Sequence, residues 1–487
     1  MKYLSFDLRA LALMRICIAI VIIIDLSIRI TDLELFYSNS GVVPLSMLFE
    51  YAWNKYYFSF HTLSGLWQVE FILFMVAYFF AFMMLIGYRT KLFTFLSWLM
   101  LLSLHNRNGL ILQGGDDLLR LVLFWAIFIP WGARYSCDKI LSRQQEPENP
   151  QILTIATIAY LLQIIYLYTG SALLKEKEWN TDFSALYYTY SIDQIAYPVT
   201  KWLYYYPELL KKMTFVAYYF ELLVPVLLFI PFRHSLFRLI VVLLVVCFHL
   251  VNGVTLLIGL FPIIGIATII GILPSFVMDR FDKITEPLKL YSRKFFSVFS
   301  RFIARFIGWK KPVYTFKPIF QNVQNALLIF LVFFVFDWNF SNLAFVNSKL
   351  SEDLRFIGYG LRLDQSWGMF APGVFKDDGW YIMEGFTEKG DSINMLAFDK
   401  KLSFEKPASI TAMFKNDRWR KYSENYLFDH NEFMRGYLCS YCKRIWNEQY
   451  IDQKIERLRV IYMKELTLPD YKYSVPAMNV LWEYYEK

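Results

Sequence analysis

Cysteine is scarce in this chain, five among 487 residues, which excludes the disulfide-dense scaffolds of small secreted domains. Charge is thin as well: 19% of residues are Asp, Glu, Lys or Arg, against about 25% in an average soluble domain. There is no internal repeat and no low-complexity tract, which argues against a solenoid or a transporter built from inverted halves. What the chain has instead is apolar surface: 56% hydrophobic residues, including 46 Phe and 34 Tyr. That excludes a disordered chain and specifies a polytopic membrane protein. The formal charge of +8 sits mostly in one loop between spans, so it gives no reason to expect nucleic acid.

A helix needs about 20 mainly apolar residues to cross the hydrocarbon core. Nine stretches qualify or nearly do: 10–30, 66–87, 91–106, 117–133, 152–173, 213–231, 237–252, 254–274 and 319–338. The first contains Arg15, Asp25 and Arg29 and is followed by no small-residue cleavage site, so it reads as a span rather than a signal peptide. Lys and Arg in short loops set orientation. Segment 279–317 holds Arg280, Lys283, Lys289, Arg293, Lys294, Arg301, Arg305, Lys310, Lys311 and Lys317 and is placed in the cytoplasm. Counting outward places the N-terminus, Arg89/Lys91, Arg134/Lys139/Arg143 and Arg233/Arg238 on the same side, and the C-terminus outside. Loop 174–212, with Lys175, Lys177, Lys201, Lys211 and Lys212, runs against the count. Within 288–307, aromatic and aliphatic residues recur at helical spacing between basic ones, which predicts an amphipathic helix lying on anionic membrane lipids.

From about residue 345 the sequence turns charged and punctuated, as a water-soluble domain requires. Trp380 to Thr387, a Glu-Lys-Gly-Asp turn, and Ser392 to Phe398 predict a hairpin. Residues 432–448 predict a helix and Arg457 to Leu466 a strand. Cys439 and Cys442 form a Cys-Ser-Tyr-Cys run without the βαβ setting of thioredoxin chemistry, so a structural disulfide and a pair of reduced thiols are the two readings.

Ionisable groups inside spans are costly and draw functional suspicion. Asp25 and Arg29 are four residues apart and are expected to pair, as are Asp116 and Asp117 with Arg120. Glu70 and Glu221 have no local partner in sequence. Lys175 closes the fifth span and His249 sits in Phe248-His249-Leu250-Val251-Asn252-Gly253; the topology brings both to the outer boundary, together with the Asn106–Asp116 stretch. A lysine in an apolar site can serve as a general base, and a neutral His beside it can bond an oxyanion. Against this stands the bland reading, a snorkelling Lys and a capping His.

Several blocks carry a resemblance: Leu11-Ala12-Leu13-Met14-Arg15, His105-Asn106-Arg107-Asn108-Gly109, Gly114-Gly115-Asp116 with Leu118-Leu119-Arg120, Arg134 to Asp138, Tyr168-Thr169-Gly170 with Lys175 and Trp179, and Phe248-His249 with Asn252. The first ~275 residues resemble the membrane domain of vitamin K-dependent gamma-carboxylases and their bacterial relatives, the HTTM family. Asp364 to Pro372 resembles the extension of many bacterial members. The resemblance implies a carboxylase-like carbon–carbon lyase that binds reduced vitamin K or menaquinone and acts on a peptide or protein at the outer face. Lys175 would be the base, with Lys177 also admitted by the spacing, and His249 a hydrogen-bond partner. Arg107, Asp116, Glu221 and Asn252 would shape the cofactor pocket, with no metal. The chain departs from the family at Gly114-Gly115-Asp116, where the animal enzymes carry an Asn-His pair.

The architecture expected is an all-α membrane domain of eight to nine transmembrane helices in a bacterial inner membrane, residues 1–275. A basic interfacial helix and a last span follow over 276–345, and an extracytoplasmic α+β domain over 346–487. The alternative function is non-catalytic: a membrane assembly, peptide-maturation or immunity partner.

Overall fold

A computed structural model of the chain describes residues 2–142, 150–309, 318–341, 343, 346, 350–396, 402–469 and 472–485, with side chains described throughout except at 2 and 288–295. Of the residues used above, Arg143, Lys310, Lys311, Lys317, Ala397 and Phe398 lie outside that description, as do the side chains of Lys289, Arg293 and Lys294.

Among the described residues, six helices are long and apolar enough to cross a membrane: α1 (Leu8–Ile30), α2 (Trp67–Ile86), α5 (Ile155–Leu173), α6 (Pro207–Phe229), α7 (His234–Thr255) and α10 (Pro318–Phe340). Between them lie α3 (Thr90–Arg107), α4 (Gly114–Ala126), α8 (Phe261–Ile269) and α9 (Ser275–Ile307). A seventh span arises only if Phe261–Ile272 and Ser275–Pro287, bent by 102°, are counted as one. Against the expectation of eight to nine spans, the described residues hold six or seven candidates. Helix length supplies part of the reason. At 1.5 Å per residue, α4 with its 13 residues reaches about 20 Å, well short of the ~30 Å hydrocarbon core. It is apolar because it is buried on nearly every side by protein. Sequence hydropathy cannot tell an interior helix from one that faces lipid.

The basic segment is helical as expected, but as one 33-residue helix, α9, that starts at Ser275. Near the N-terminal end of α1, Arg9 pairs with Asp279 of α9 at 2.8 Å. Just beyond the other end, Lys415 bonds the Thr31 carbonyl at 3.2 Å and Asp32 at 2.7 Å. The basic helix and the C-terminal domain therefore lie at opposite ends of α1, about 35 Å apart by helix rise.

The C-terminal domain contains β1 (Asp377–Thr387), β2 (Ser392–Asn394), helices α11 (Asp417–Leu427) and α12 (Phe433–Gln449), then β3 (Ile455–Leu468), β4 (Lys472–Tyr473) and β5 (Ala477–Tyr485). The predicted hairpin is β1–β2, antiparallel, with Gly390 at φ +84° in its turn. β3 is the central strand, antiparallel to β1, β4 and β5. One face of β1 packs on the helices through Tyr381 and Met383, which belong to the same buried apolar cluster as the membrane helices.

Two ties explain that continuity. Segment 358–372 runs as a strap over the membrane domain: Arg120 Nε donates to the Arg362 carbonyl at 2.9 Å, and Gln163 Nε2 to Gln365 at 2.8 Å. Trp179 Nε1 donates to the Phe370 carbonyl at 2.8 Å. Loop 191–197 enters the sheet from the other side, where Gln194 bonds Tyr462 and Tyr381, each at 2.9 Å.

In the loop that runs against the charge count, Lys175, Lys177, Lys201 and Lys211 each face a carboxylate: Glu221, Asp182, Asp193 and Glu208.

Candidate functional site

Lys175 follows the C-terminal end of α5, and its side chain turns inward rather than to the headgroups. It is 6% exposed, and its ammonium sits 2.6 Å from both oxygens of Glu221 on α6. The Trp179 ring covers it at 4.1 Å. An ammonium held by both oxygens of a buried carboxylate is a charged, partnered group. Lys177, the other admitted candidate, is an exposed lysine 3.6 Å from Asp182.

His249 is fully buried on α7, with Nε2 3.1 Å from the Tyr168 hydroxyl and Nδ1 without a hydrogen-bond partner among the described residues. Gly265 makes room for it: a Cβ there would lie 2.2 Å from Nε2. Phe220, beside Glu221, stacks on Phe248, beside His249, with ring centroids 4.7 Å apart. Lys175–Glu221 and Tyr168–His249 thus share one wall built from α5, α6 and α7. Neither a cavity of about 640 Å³ nor one of about 550 Å³ is bordered by Lys175 or His249.

The remaining candidates stand apart from that wall. Arg107 is fully buried and donates from Nη2 to the Val43 carbonyl at 2.9 Å. The Asn252 side chain is half-buried and forms no hydrogen bond among the described residues. Asp116 belongs to a different assembly. Arg29 donates to Asp25 at 2.8 Å and to Asp116 at 2.6 Å, and its third nitrogen reaches the Tyr37 hydroxyl at 2.9 Å. Arg418, from α11, closes the lattice by bonding both Asp116 oxygens and Asp25 Oδ1. Asp25 and Arg29 do pair as the spacing predicts, and Arg120 takes Asp117 at 2.8 Å. Asp116 goes elsewhere, since it also caps α4 by accepting from the Gln113 backbone N–H at 2.8 Å.

Asp25, His105 and Asp116 bring one donor atom each within 4.8 Å of one another, a spacing a metal could use. Two guanidiniums already sit on those carboxylates, and an added cation would be repelled at contact distance. Sequence reasoning found Asp25, Arg29 and Asp116 but missed Arg418, which is 302 residues from Asp116 and lies on an ordinary-looking helix of the C-terminal region. No local spacing could have signalled it.

Residues 9–273 match the lipase maturation factor transmembrane domain. The chain belongs to that family. No curated protein and no solved structure matches the chain. The expected kinship with the gamma-carboxylases is corrected accordingly: the family is a membrane family, but a different one. The reason is visible in the blocks that suggested it. Arg15 bonds the Trp131 and Tyr135 carbonyls, Asn106 the Phe58 carbonyl, and Asp138 the Arg89 and Thr90 backbone N–H groups. These are polar clamps between buried helices, and a clamp motif reports how helices are tied rather than what reaction they perform. In this lipase maturation factor family member, as in any multi-pass protein, such groups must find partners inside the fold.

Proposed function

We propose that this chain is a non-catalytic membrane maturation factor that assists the folding or assembly of a secreted lipase-type protein. The observation that carries the reading is membership of the lipase maturation factor family across the membrane domain. It is supported by the pairing of Lys175 with Glu221, which leaves the nearest candidate base bonded to a carboxylate. The hydroquinone expectation rested on the carboxylase resemblance.

In this reading α9 lies on the cytoplasmic leaflet and the C-terminal domain faces the compartment into which secreted proteins emerge. The membrane helices hold that domain at the surface through the strap and the Arg418 lattice. The test is co-expression with a secreted lipase in cells lacking the chain, measuring lipase activity per mass of secreted enzyme. Wild type should raise it by roughly fivefold or more, the scale on which folding yield alters abundance. The charge-free double variant Lys175→Met with Glu221→Met should match wild type. If no lipase responds to the chain, the reading fails. If the double variant accumulates normally in the membrane yet gives no lipase activity, an enzymatic role at Lys175 replaces it.

A further inference from the structure

The cavity of about 640 Å³ lies at the end of the spans where α9 begins, far from the Arg418 lattice. We infer that this recess binds the phosphate group of an anionic lipid headgroup. Two long helices point their N-termini into it. α7 begins at His234 and α9 at Ser275, and neither has a side-chain cap. Uncapped N-terminal N–H groups and the helix dipole together favour an anion.

The independent observation is Arg238. It lines the recess, is only 4% exposed, and spends one nitrogen on the Ser5 carbonyl at 2.5 Å while Nε and Nη2 have no partner among the described residues. Its guanidinium lies over the Phe6 ring at 4.6 Å, which fixes its plane. A buried guanidinium with two unpartnered donors and no acid on it is a costly arrangement unless an anion completes it. The one carboxylate lining the recess, Asp7, is already taken by Arg9, which donates to it from the backbone N–H at 2.8 Å, Nε at 3.0 Å and Nη2 at 2.7 Å.

A hydroxyl adds one more donor to the same space. Ser275 Oγ accepts from Gln151 at 3.2 Å, which leaves its own O–H to turn into the recess. The rim is apolar: Leu236 and Phe276 are 46% and 45% exposed, where the acyl chains of a lipid would lie. A free phosphate would have no use for such a rim, and this favours the lipid.

The experiment uses the full chain in nanodiscs of phosphatidylcholine, alone or mixed with phosphatidylglycerol, read by native mass spectrometry and thermal unfolding. Wild type should retain phosphatidylglycerol over phosphatidylcholine by roughly tenfold and melt higher in the mixed discs. Arg238→Gln should lose both effects. Arg238 is buried, so a second variant guards against misfolding: Arg233→Asn changes an exposed rim residue at φ +44°, a conformation Asn accepts, and should weaken retention by roughly threefold with normal folding. Retention unaltered in both variants overturns the site. A thermal shift with inorganic phosphate in phosphatidylcholine discs, but none with phosphatidylglycerol, overturns the lipid and assigns the recess to a free anion.

Discussion

Arg418 donates to Asp25 across 393 residues of sequence at 2.8 Å, and the same guanidinium grips Asp116, so one side chain from the C-terminal domain neutralises acids on two membrane-domain helices. Both acids also share Arg29, whose charge alone cannot balance two buried carboxylates. Arg418→Met should therefore cost about 3–5 kcal/mol, the penalty of leaving buried charge uncompensated. Adding Asp116→Asn should recover a good part of this, because an amide oxygen can still accept from the Gln113 N–H. Thermal unfolding in detergent measures both, and equal stability of the single and double variants would show that charge balance is not the term involved.

Lys175 and Glu221 obey the same arithmetic in a smaller setting. Their side chains are 4% and 5% exposed, so Lys175→Met alone should destabilise the fold by about 3–5 kcal/mol through the orphaned carboxylate. Lys175→Met with Glu221→Met should lie near wild type, since an apolar pair of similar volume replaces the ion pair. A double variant as unstable as the single one would contradict this account.

Elements with strong local signals were legible in sequence. The β1–β2 hairpin follows from alternation around a Gly-containing turn, and Asp25–Arg29 from their i, i+4 spacing. The number of spans was not legible, because the apolar half of α4 packs against protein neighbours rather than lipid. The ends of the long-range clamps were hidden as well. Glu221 looked unpartnered until α5 and α6 packed, and Arg418 gave no hint of its acids. Polar groups inside a membrane fold announce that a partner exists, but tertiary packing alone says which.

Cys439 and Cys442, three apart on α12, are free and buried. Burial pushes the Cys442 thiol up to about 12, so almost no thiolate is available at neutral pH. Neither should react with a maleimide in the folded protein, and both should react once it is unfolded. Intact-mass analysis of the labelled C-terminal segment counts the adducts, and rapid native labelling of either residue would show that α12 opens readily.

The last expectation concerns pH at the join between loop 191–197 and the sheet. Asp378 on β1 is 2% exposed; one of its oxygens accepts from the Asp193 backbone N–H at 2.7 Å, and the other has no partner among the described residues. Burial, and then the nearby Asp193 carboxylate, raise its carboxyl to about 7. Lys406 works against that rise but is shared, at 2.8 Å from Asp193 and 2.6 Å from Glu465, and Lys201 stands 3.7 Å from Asp193. In the unfolded chain Asp378 ionises near the ordinary value of about 3.9. Between those two values the folded state holds a proton that the unfolded state has released, so stability falls as pH rises through this window. The contribution is complete below about 4 and gone above about 7. Melting temperature should accordingly drop between about pH 4 and pH 7 by an amount that Asp378→Asn removes, because the amide stays neutral throughout and can still accept from Asp193. Parallel pH profiles for wild type and Asp378→Asn would mean that the join titrates through another group.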